Sequence, residues 1–191
     1  GCGGCGGCGS CVGGDPFTPY QSKALTCGEW CDVGLYFNAM RNEANAALAP
    51  HTSALLSSEI FRTECTSCPL GSAYFSLLRP NTKLAPHCGP TNARLRAHLG
   101  IIVPQGDCVI TVGGEERKWE EGEVLLFDDS FEHEVRNQTA SVRLVLIVDL
   151  WHPDLTSPQA RLATLTEQLQ RERYARVINE GYYENTTQRG H

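Results

Sequence analysis

The spacing of hydrophobic residues changes along this chain of 191 residues. Between Trp30 and Leu56, helix-like stretches such as MRNEANAAL, closed by Pro50, predict a helical lead-in. From residue 73 onward, short apolar runs separated by turn residues are typical of strands. These runs are AYFSLLR, ARLRAHLGIIV, CVITV, ERKW, EVLLFD, FEHEV and SVRLVLIVDLW.

Short glycine-containing turns separate several of these strands. Val112–Glu115 and Glu121–Glu123 each predict a hairpin, so we expect consecutive strands to pair antiparallel. Seven closely spaced strands fit a sandwich or a jelly-roll barrel of the cupin kind. The predicted fold class is therefore mainly β, a double-stranded β-helix (jelly-roll, cupin-like) with flanking N-terminal and C-terminal helices.

The two ends of the chain differ from this core. Residues 1–14 repeat Gly-Cys-Gly and contain almost nothing that can be buried, which predicts a flexible leader. Near the other end, the three-to-four spacing of Leu162, Leu165 and Leu169 predicts an amphipathic helix on the outside of the barrel. We expect one domain over residues 15–184 and a frayed tail over residues 185–191.

The composition of the chain argues against some classes of binding partner. The net charge of -6 and the scattered basic residues argue against nucleic acid. No apolar run approaches the roughly 18 to 20 residues that span a bilayer, so we expect no membrane contact from this segment itself. Two sequons, at Asn137 and Asn185, favour the endoplasmic reticulum lumen or a membrane-anchored form in the secretory pathway over the cytoplasm.

Six of the ten cysteines lie outside the leader. Cys65 and Cys68 form a Cys-x-x-Cys motif for which we find no further zinc ligands, so a disulfide or two free thiols is the better interpretation. Cys88, beside His87, is either a packing residue or an oxidation-sensitive thiol.

One predicted strand carries an unusual set of polar residues. Alternation places Arg94, Arg96 and His98 on one face of ARLRAHLGIIV. Either that face is solvated, or it lines the mouth of a barrel and meets an anionic ligand. Arg143, within an otherwise apolar run, is likewise either salt-bridged or a carboxylate-binding residue.

Two histidines occupy positions expected at the rim of the barrel. His87 follows Pro86, and His133 follows the acidic turn FDDS. Histidines at separate strand ends can converge on one metal, and imidazole suits iron, zinc, copper and nickel alike. The alternative is that each is a surface or hydrogen-bonded histidine.

Three long motifs resemble the aspartyl/asparaginyl β-hydroxylase family. They are HCGPTNARLRAHLG (87–100), WEEGEVLLFDDSFEHEV (119–135) and VRLVLIVDLWHP (142–153), and the likeness extends through RNEAN (41–45) to cover about residues 15 to 170. The resemblance implies that His87 and His133 bind Fe(II). Most related oxygenases have a carboxylate two residues after the first histidine, whereas here, as in the family, that position is glycine, Gly89.

The resemblance also implies an oxygenase that uses 2-oxoglutarate and O2. Arg143 would hold the distal carboxylate of 2-oxoglutarate with a hydrogen bond from Ser76, and His98 would meet its metal-proximal end.

The implied substrate is an Asp or Asn side chain of a peptide or protein, hydroxylated at the β-carbon. Arg94 and Arg96 would bind the acidic side chain of the substrate, and Trp30 would lie near the substrate groove or serve as a buried anchor.

This chain departs from the family at several positions. Ala46 and Ser53 stand where animal enzymes carry a cysteine pair, and Tyr74 stands where we would expect a lysine. The substrate could therefore be a free amino acid or a small peptide natural product. Two further alternatives are a catalytically silent cupin-like binding module and a zinc or nickel protein using the same histidines.

Overall fold

The computed structural model describes residues 16–165, which form two antiparallel sheets. The strands in this range are β1 (Thr18–Pro19), β2 (Leu25–Cys27), β3 (Trp30–Phe37), β4 (Met40–Arg41), β5 (Ser72–Leu78), β6 (Thr82–His87), β7 (Arg94–Ile102), β8 (Cys108–Val112), β9 (Glu115–Lys118), β10 (Val124–Phe127), β11 (His133–Asn137) and β12 (Arg143–Trp151).

The large sheet has the order β1-β3-β5-β12-β7-β10, with β4 beside β3, and the small sheet has the order β2-β6-β11-β8-β9. Most consecutive strands alternate between the two sheets, which is how a jelly roll is wound. The predicted fold class is confirmed.

One of the two predicted hairpins forms. Gly113 and Gly114 have φ of +56° and +86°, and the turn pairs Val112 with Glu115. The hairpin predicted at Glu121–Glu123 is wrong. Its turn exists, but it carries the chain from β9 in the small sheet to β10 in the large sheet, because β10 pairs with β7 instead.

The prediction of a helix beginning at Trp30 is also wrong. Trp30–Phe37 is strand β3, paired with β5 and buried on both faces. Helices occupy only the later part of the lead-in, and Pro50 opens a helix rather than closing one, since proline fits the first helical turn. The helices described are α1 (Glu43–Leu48), α2 (Pro50–Leu56), α3 (Glu59–Phe61) and α4 (Pro158–Ala163), with a π-helical turn at Arg62–Thr66.

The main core lies between the two sheets, and a second apolar cluster lies between the large sheet and the helices. Leu35, Leu56 and Val148 belong to this second cluster. Buried Ser53 on α2 donates a hydrogen bond of 3.1 Å to the carbonyl of Ala46 on α1. This bond joins the two helices at the positions where the family resemblance implied a missing cysteine pair.

The C-terminal helix is described only at its start. Ser157 caps α4, and Leu165 packs near Trp151, whereas Leu162 is 70% exposed. Leu169, the leader over residues 1–14 and the tail over residues 185–191 lie outside the described residues. Within residues 16–165, no helix is both long enough and apolar enough to cross a membrane.

Asn137 of the first sequon is a structural residue. It is fully buried, its amide nitrogen donates to the carbonyls of Leu78, Arg79 and Ser141, and its oxygen accepts from Thr139. A glycan on this nitrogen would break those hydrogen bonds, so this sequon does not support a secretory compartment. Asn185 lies outside the described residues.

A buried network of two arginines and two aspartates, the Arg/Asp quartet, joins β7, β12 and the loop between β10 and β11. Arg94 lies 2.7 Å from Asp129 and 2.9 Å from Asp149, and Arg96 lies 3.1 Å and 2.8 Å from the same two carboxylates. Both aspartate side chains are fully buried. Each charge is therefore compensated by two opposite ones, which offsets much of the cost of burial.

Removing one of these carboxylates should be strongly destabilising. We expect Asp149→Asn to lower the free energy of unfolding by about 3 to 5 kcal/mol, because it leaves two buried guanidiniums with one anion. Urea denaturation of the purified chain measures this change.

The matched control is Asp107→Asn, which removes an exposed ion pair with Arg136 and should cost less than about 1 kcal/mol. An equal decrease in the free energy of unfolding of both variants would show that the quartet stabilises the fold no more than an exposed ion pair does.

Candidate metal and anion site

His87 and His133 face each other across two neighbouring strands of the small sheet. His87 ends β6, His133 begins β11, and the two are direct partners in the ladder. Their ring centroids are 4.2 Å apart. The structure thus brings together the two histidines that the sequence predicted as metal ligands. TKLAPH forms strand β6 up to His87 itself, and the register of β6 with β11 sets the spacing of the pair.

Both imidazoles are held in the same orientation by backbone carbonyls. Nδ1 of His87 lies 2.8 Å from the oxygen of Ala85, and Nδ1 of His133 lies 2.9 Å from the oxygen of Phe131. Because Nδ1 is the donor in each bond, Nε2 is the nitrogen that can coordinate a metal. Burial, together with the nearby His87, lowers the pKa of His133 to about 4. His133 is therefore neutral at physiological pH, as a metal ligand must be.

Gly89 leaves room for the carboxylate of Asp129. A Cβ atom at position 89 would lie 2.3 Å from Oδ2 of Asp129, and the Gly89 N–H donates to the Asp129 carbonyl. Burial alone would raise the pKa of Asp129, but the guanidiniums of Arg96 and Arg94 hold it well below its ordinary value. An ionised carboxylate thus occupies the space that a side chain at position 89 would fill.

His98 presents a buried hydrogen-bond donor without a partner. Its Nδ1 accepts a bond of 3.2 Å from the indole of Trp119, and burial, with Arg143 and Arg96 nearby, lowers its pKa well below the ordinary value. The neutral ring therefore carries its proton on Nε2. That atom is buried and has no hydrogen-bond partner among the described residues.

Arg143 is a buried cation on the inner face of the large sheet. Its guanidinium lies over the ring of Trp119 at 4.9 Å and 3.4 Å from the hydroxyl of Ser76, but it makes no ion pair with the described residues. Its Nε has no hydrogen-bond partner among them. Burial lowers the pKa of Arg143 to about 10, so it remains charged at neutral pH. A buried cation of this kind calls for an anion.

Trp30 and Ser76 lie beside this cation. The indole of Trp30 donates a hydrogen bond of 3.0 Å to Ser76 and packs 4.3 Å from the ring of Tyr20. Trp30 is buried in the main core, so what the structure shows for it is the anchoring role. Its role in substrate binding stays a prediction.

Arg94 and Arg96 point into the barrel together with His98, as the alternation predicted. Their guanidiniums belong to the Arg/Asp quartet, and Arg94 also donates to the carbonyl of Leu70. The predicted role in binding an acidic substrate stays a prediction, and any substrate carboxylate would have to share these arginines with Asp129 and Asp149.

Sequence reasoning missed the aromatic residues that assemble the site. Trp119 orients His98 and covers Arg143, and Phe127 packs edge-on against both His98 and His133, with centroids 5.0 Å and 5.5 Å apart. Alternation within EVLLFD could have placed Phe127 on the inner face with Leu125.

The two cysteines of the Cys-x-x-Cys motif remain unpaired. Cys65 and Cys68 are buried free thiols, and burial raises their pKa values to about 12 and about 11. Between residues 16 and 165, no group of three or more His, Cys, Asp or Glu side chains could hold a metal ion.

The chain is similar both to solved structures and to known sequences. Among solved structures, the chain is similar to a predicted oxalate decarboxylase from Thermotoga maritima, with a TM-score of 0.44, 13% identity, and coverage of 71% of this chain and 94% of that one. A cupin domain from Bordetella pertussis has a TM-score of 0.35 at 10% identity, covering 43% of this chain and 82% of its own.

Sequence identity is higher to the following relatives. The chain is 46% identical over 145 residues to the aspartyl/asparaginyl beta-hydroxylases of Mus musculus and Homo sapiens, which covers 76% of this chain and 19% of each relative. It is 40% identical over 143 residues to human aspartate beta-hydroxylase domain-containing protein 2, covering 73% of this chain and 38% of that protein.

The match therefore spans about a fifth of the mouse and human hydroxylases. The family described as Aspartyl/Asparaginyl beta-hydroxylase matches residues 13–153, from before β1 to just after β12. With this match and the sequence identities, the chain belongs to the aspartyl/asparaginyl β-hydroxylase family.

Proposed function

We propose that this chain is an Fe(II)- and 2-oxoglutarate-dependent oxygenase domain that hydroxylates the β-carbon of Asp or Asn residues in a peptide or protein. One observation carries the proposal. Arg143 is a buried cation without a counter-ion among residues 16–165, and it lies inside the barrel that also holds the facing histidines. A dicarboxylate cosubstrate supplies the missing anion.

His87 and His133 would hold the metal through Nε2. Their neutral rings and fixed tautomers suit Fe(II), although imidazole alone does not select iron over zinc or nickel. When bound, iron supplies the activation of O2, coupled to conversion of 2-oxoglutarate to succinate and CO2, that C–H hydroxylation requires. The residues around it orient the ligands and keep water away from the reaction.

Arg143, Ser76 and His98 would bind the cosubstrate. The unpartnered Nε of Arg143 and Nε2 of His98 are both donors, and each suits a carboxylate oxygen. Ser76 accepts from Trp30 and from Arg143, which leaves its own proton available for an acceptor. The pocket therefore has donors for two carboxylates at separate points, as 2-oxoglutarate needs.

Replacing a proposed metal ligand should abolish metal binding and turnover. We expect His133→Ala to weaken Fe(II) or Mn(II) affinity by more than the roughly 10- to 100-fold that changes outside the ligand set cost. Calorimetric Mn(II) titration measures the affinity, and succinate formation with Asp- and Asn-containing peptides measures turnover.

His51→Ala, at an exposed position on α2, is the matched control and should behave as wild type. A His133→Ala variant with wild-type affinity and peptide-stimulated succinate would overturn the metal assignment. Metal binding with no succinate from any peptide or free amino acid would favour a silent binding module.

Replacing Arg143 should separate cosubstrate binding from stability. We expect Arg143→Met to raise the KM for 2-oxoglutarate about 100-fold or more, because the carboxylate loses its buried partner. The melting temperature should stay level or rise, since a buried cation without a counter-ion is removed.

The control is Arg117→Met on exposed β9, which should change neither quantity. An unchanged KM in Arg143→Met would show that the anion binds elsewhere. A large fall in melting temperature would show that Arg143 is chiefly structural.

A further inference from the structure

Asp32 lies on the inner face of the large sheet, beside the proposed cosubstrate pocket. It is paired in register with Thr18 of β1 on one side and with Ser76 of β5 on the other. Residues directly paired across antiparallel strands project to the same face. Ser76 points inward to Trp30 and Arg143, so the carboxyl group of Asp32 points inward too.

The side chain of Asp32 makes no hydrogen bond or ion pair with the residues from 16 to 165; the hydroxyl of Thr18 donates to its main-chain oxygen instead. Burial raises the pKa of Asp32 to about 7, and no cation in the described part of the chain compensates. Asp129 and Asp149 are buried more deeply, yet each has two guanidiniums.

A desolvated carboxyl group without a partner costs stability unless something else supplies the partner. Its inward neighbours Thr18, Ser76, Trp30 and Gly34 carry no charge. The group is only half-buried, so a ligand entering the barrel can reach it. An amide side chain at this position would fit the same space without the cost of a desolvated charge.

We infer that Asp32 forms a subsite for a basic side chain, lysine or arginine, of the peptide substrate. This inference rests on the proposed function, because it takes a peptide as the substrate. Asp32 lies three strands from His98 in the large sheet, a span of roughly 14 Å, which an extended peptide covers in about four residues. The basic residue would thus lie within about four positions of the Asp or Asn that is hydroxylated.

Peptide binding tests the subsite without requiring turnover. Fluorescein-labelled 13-residue peptides carry a central Asp in a Gly/Ser background, with a single Lys placed in turn at each of the four positions on either side. Glu replaces Lys in the matched set. Fluorescence polarisation gives Kd for the whole chain loaded with Mn(II) and 2-oxoglutarate in the absence of O2.

Wild type should bind the Lys peptide about tenfold more tightly than the Glu peptide at one position or more, as expected for one charge-assisted hydrogen bond. Asp32→Asn should reduce that ratio to about twofold or less. The control Asp154→Asn, at a side chain that is 89% exposed, should retain it.

A wild type that binds neither peptide or binds both equally overturns the subsite, as does a ratio that survives in Asp32→Asn. If the ratio depends on Asp32 but the chain loaded with Fe(II) and 2-oxoglutarate hydroxylates no peptide in air, the subsite stands and the proposed hydroxylase function fails.

Thermal unfolding shows whether Asp32→Asn remains folded. Folding raises the pKa of Asp32 from 3.8 to about 7. The wild type therefore loses stability as the pH rises from 3.8 to about 7, whereas an asparagine at this position does not titrate. We expect the melting temperature of Asp32→Asn to exceed that of wild type by more at pH 8 than at pH 4. A variant less stable than wild type at pH 8 would make Asp32 a structural residue and overturn the subsite.

Discussion

The Arg/Asp quartet is the interaction on which the site depends. Arg94 and Arg96 are anchored on β7, Asp149 on β12, and Asp129 in the loop that leads into His133. The same carboxylate of Asp129 fills the space beside Gly89, two residues after His87. One network therefore fixes both the loop that follows His87 and the loop that precedes His133. Because its two arginines and two aspartates cancel, the net charge of the pocket comes from other residues.

The charge that remains belongs to Arg143 and Asp32, one cation and one acid on the inner face of the same sheet. Neither has an ion-pair partner within residues 16–165. The four charges of the quartet are fully paired, whereas these two groups on the same sheet are not. Such exceptions to local consistency are expected where a ligand completes the structure.

Much of the site could be predicted from residue order, because alternation along a strand is local. Arg94, Arg96 and His98 share the inner face as expected, and the two histidines meet. The partners Asp129 and Asp149 could not be predicted, since pairing across tens of residues depends on the sheet order. For the same reason the sequence pattern predicts a helix where β3 forms. Its aromatic and apolar residues suit either element, and pairing with β5 decides between them.

The position of β12 has a consequence for biosynthesis. It is the last strand in the described chain, yet it lies between β5 and β7 in the middle of the large sheet. During translation, β5 and β7 each have an edge with unpaired backbone groups until residue 151 has emerged from the ribosome and β12 can pair with both. The large sheet therefore cannot be completed before β12 has been synthesised, and a chain truncated before β12 would expose two sheet edges that invite aggregation.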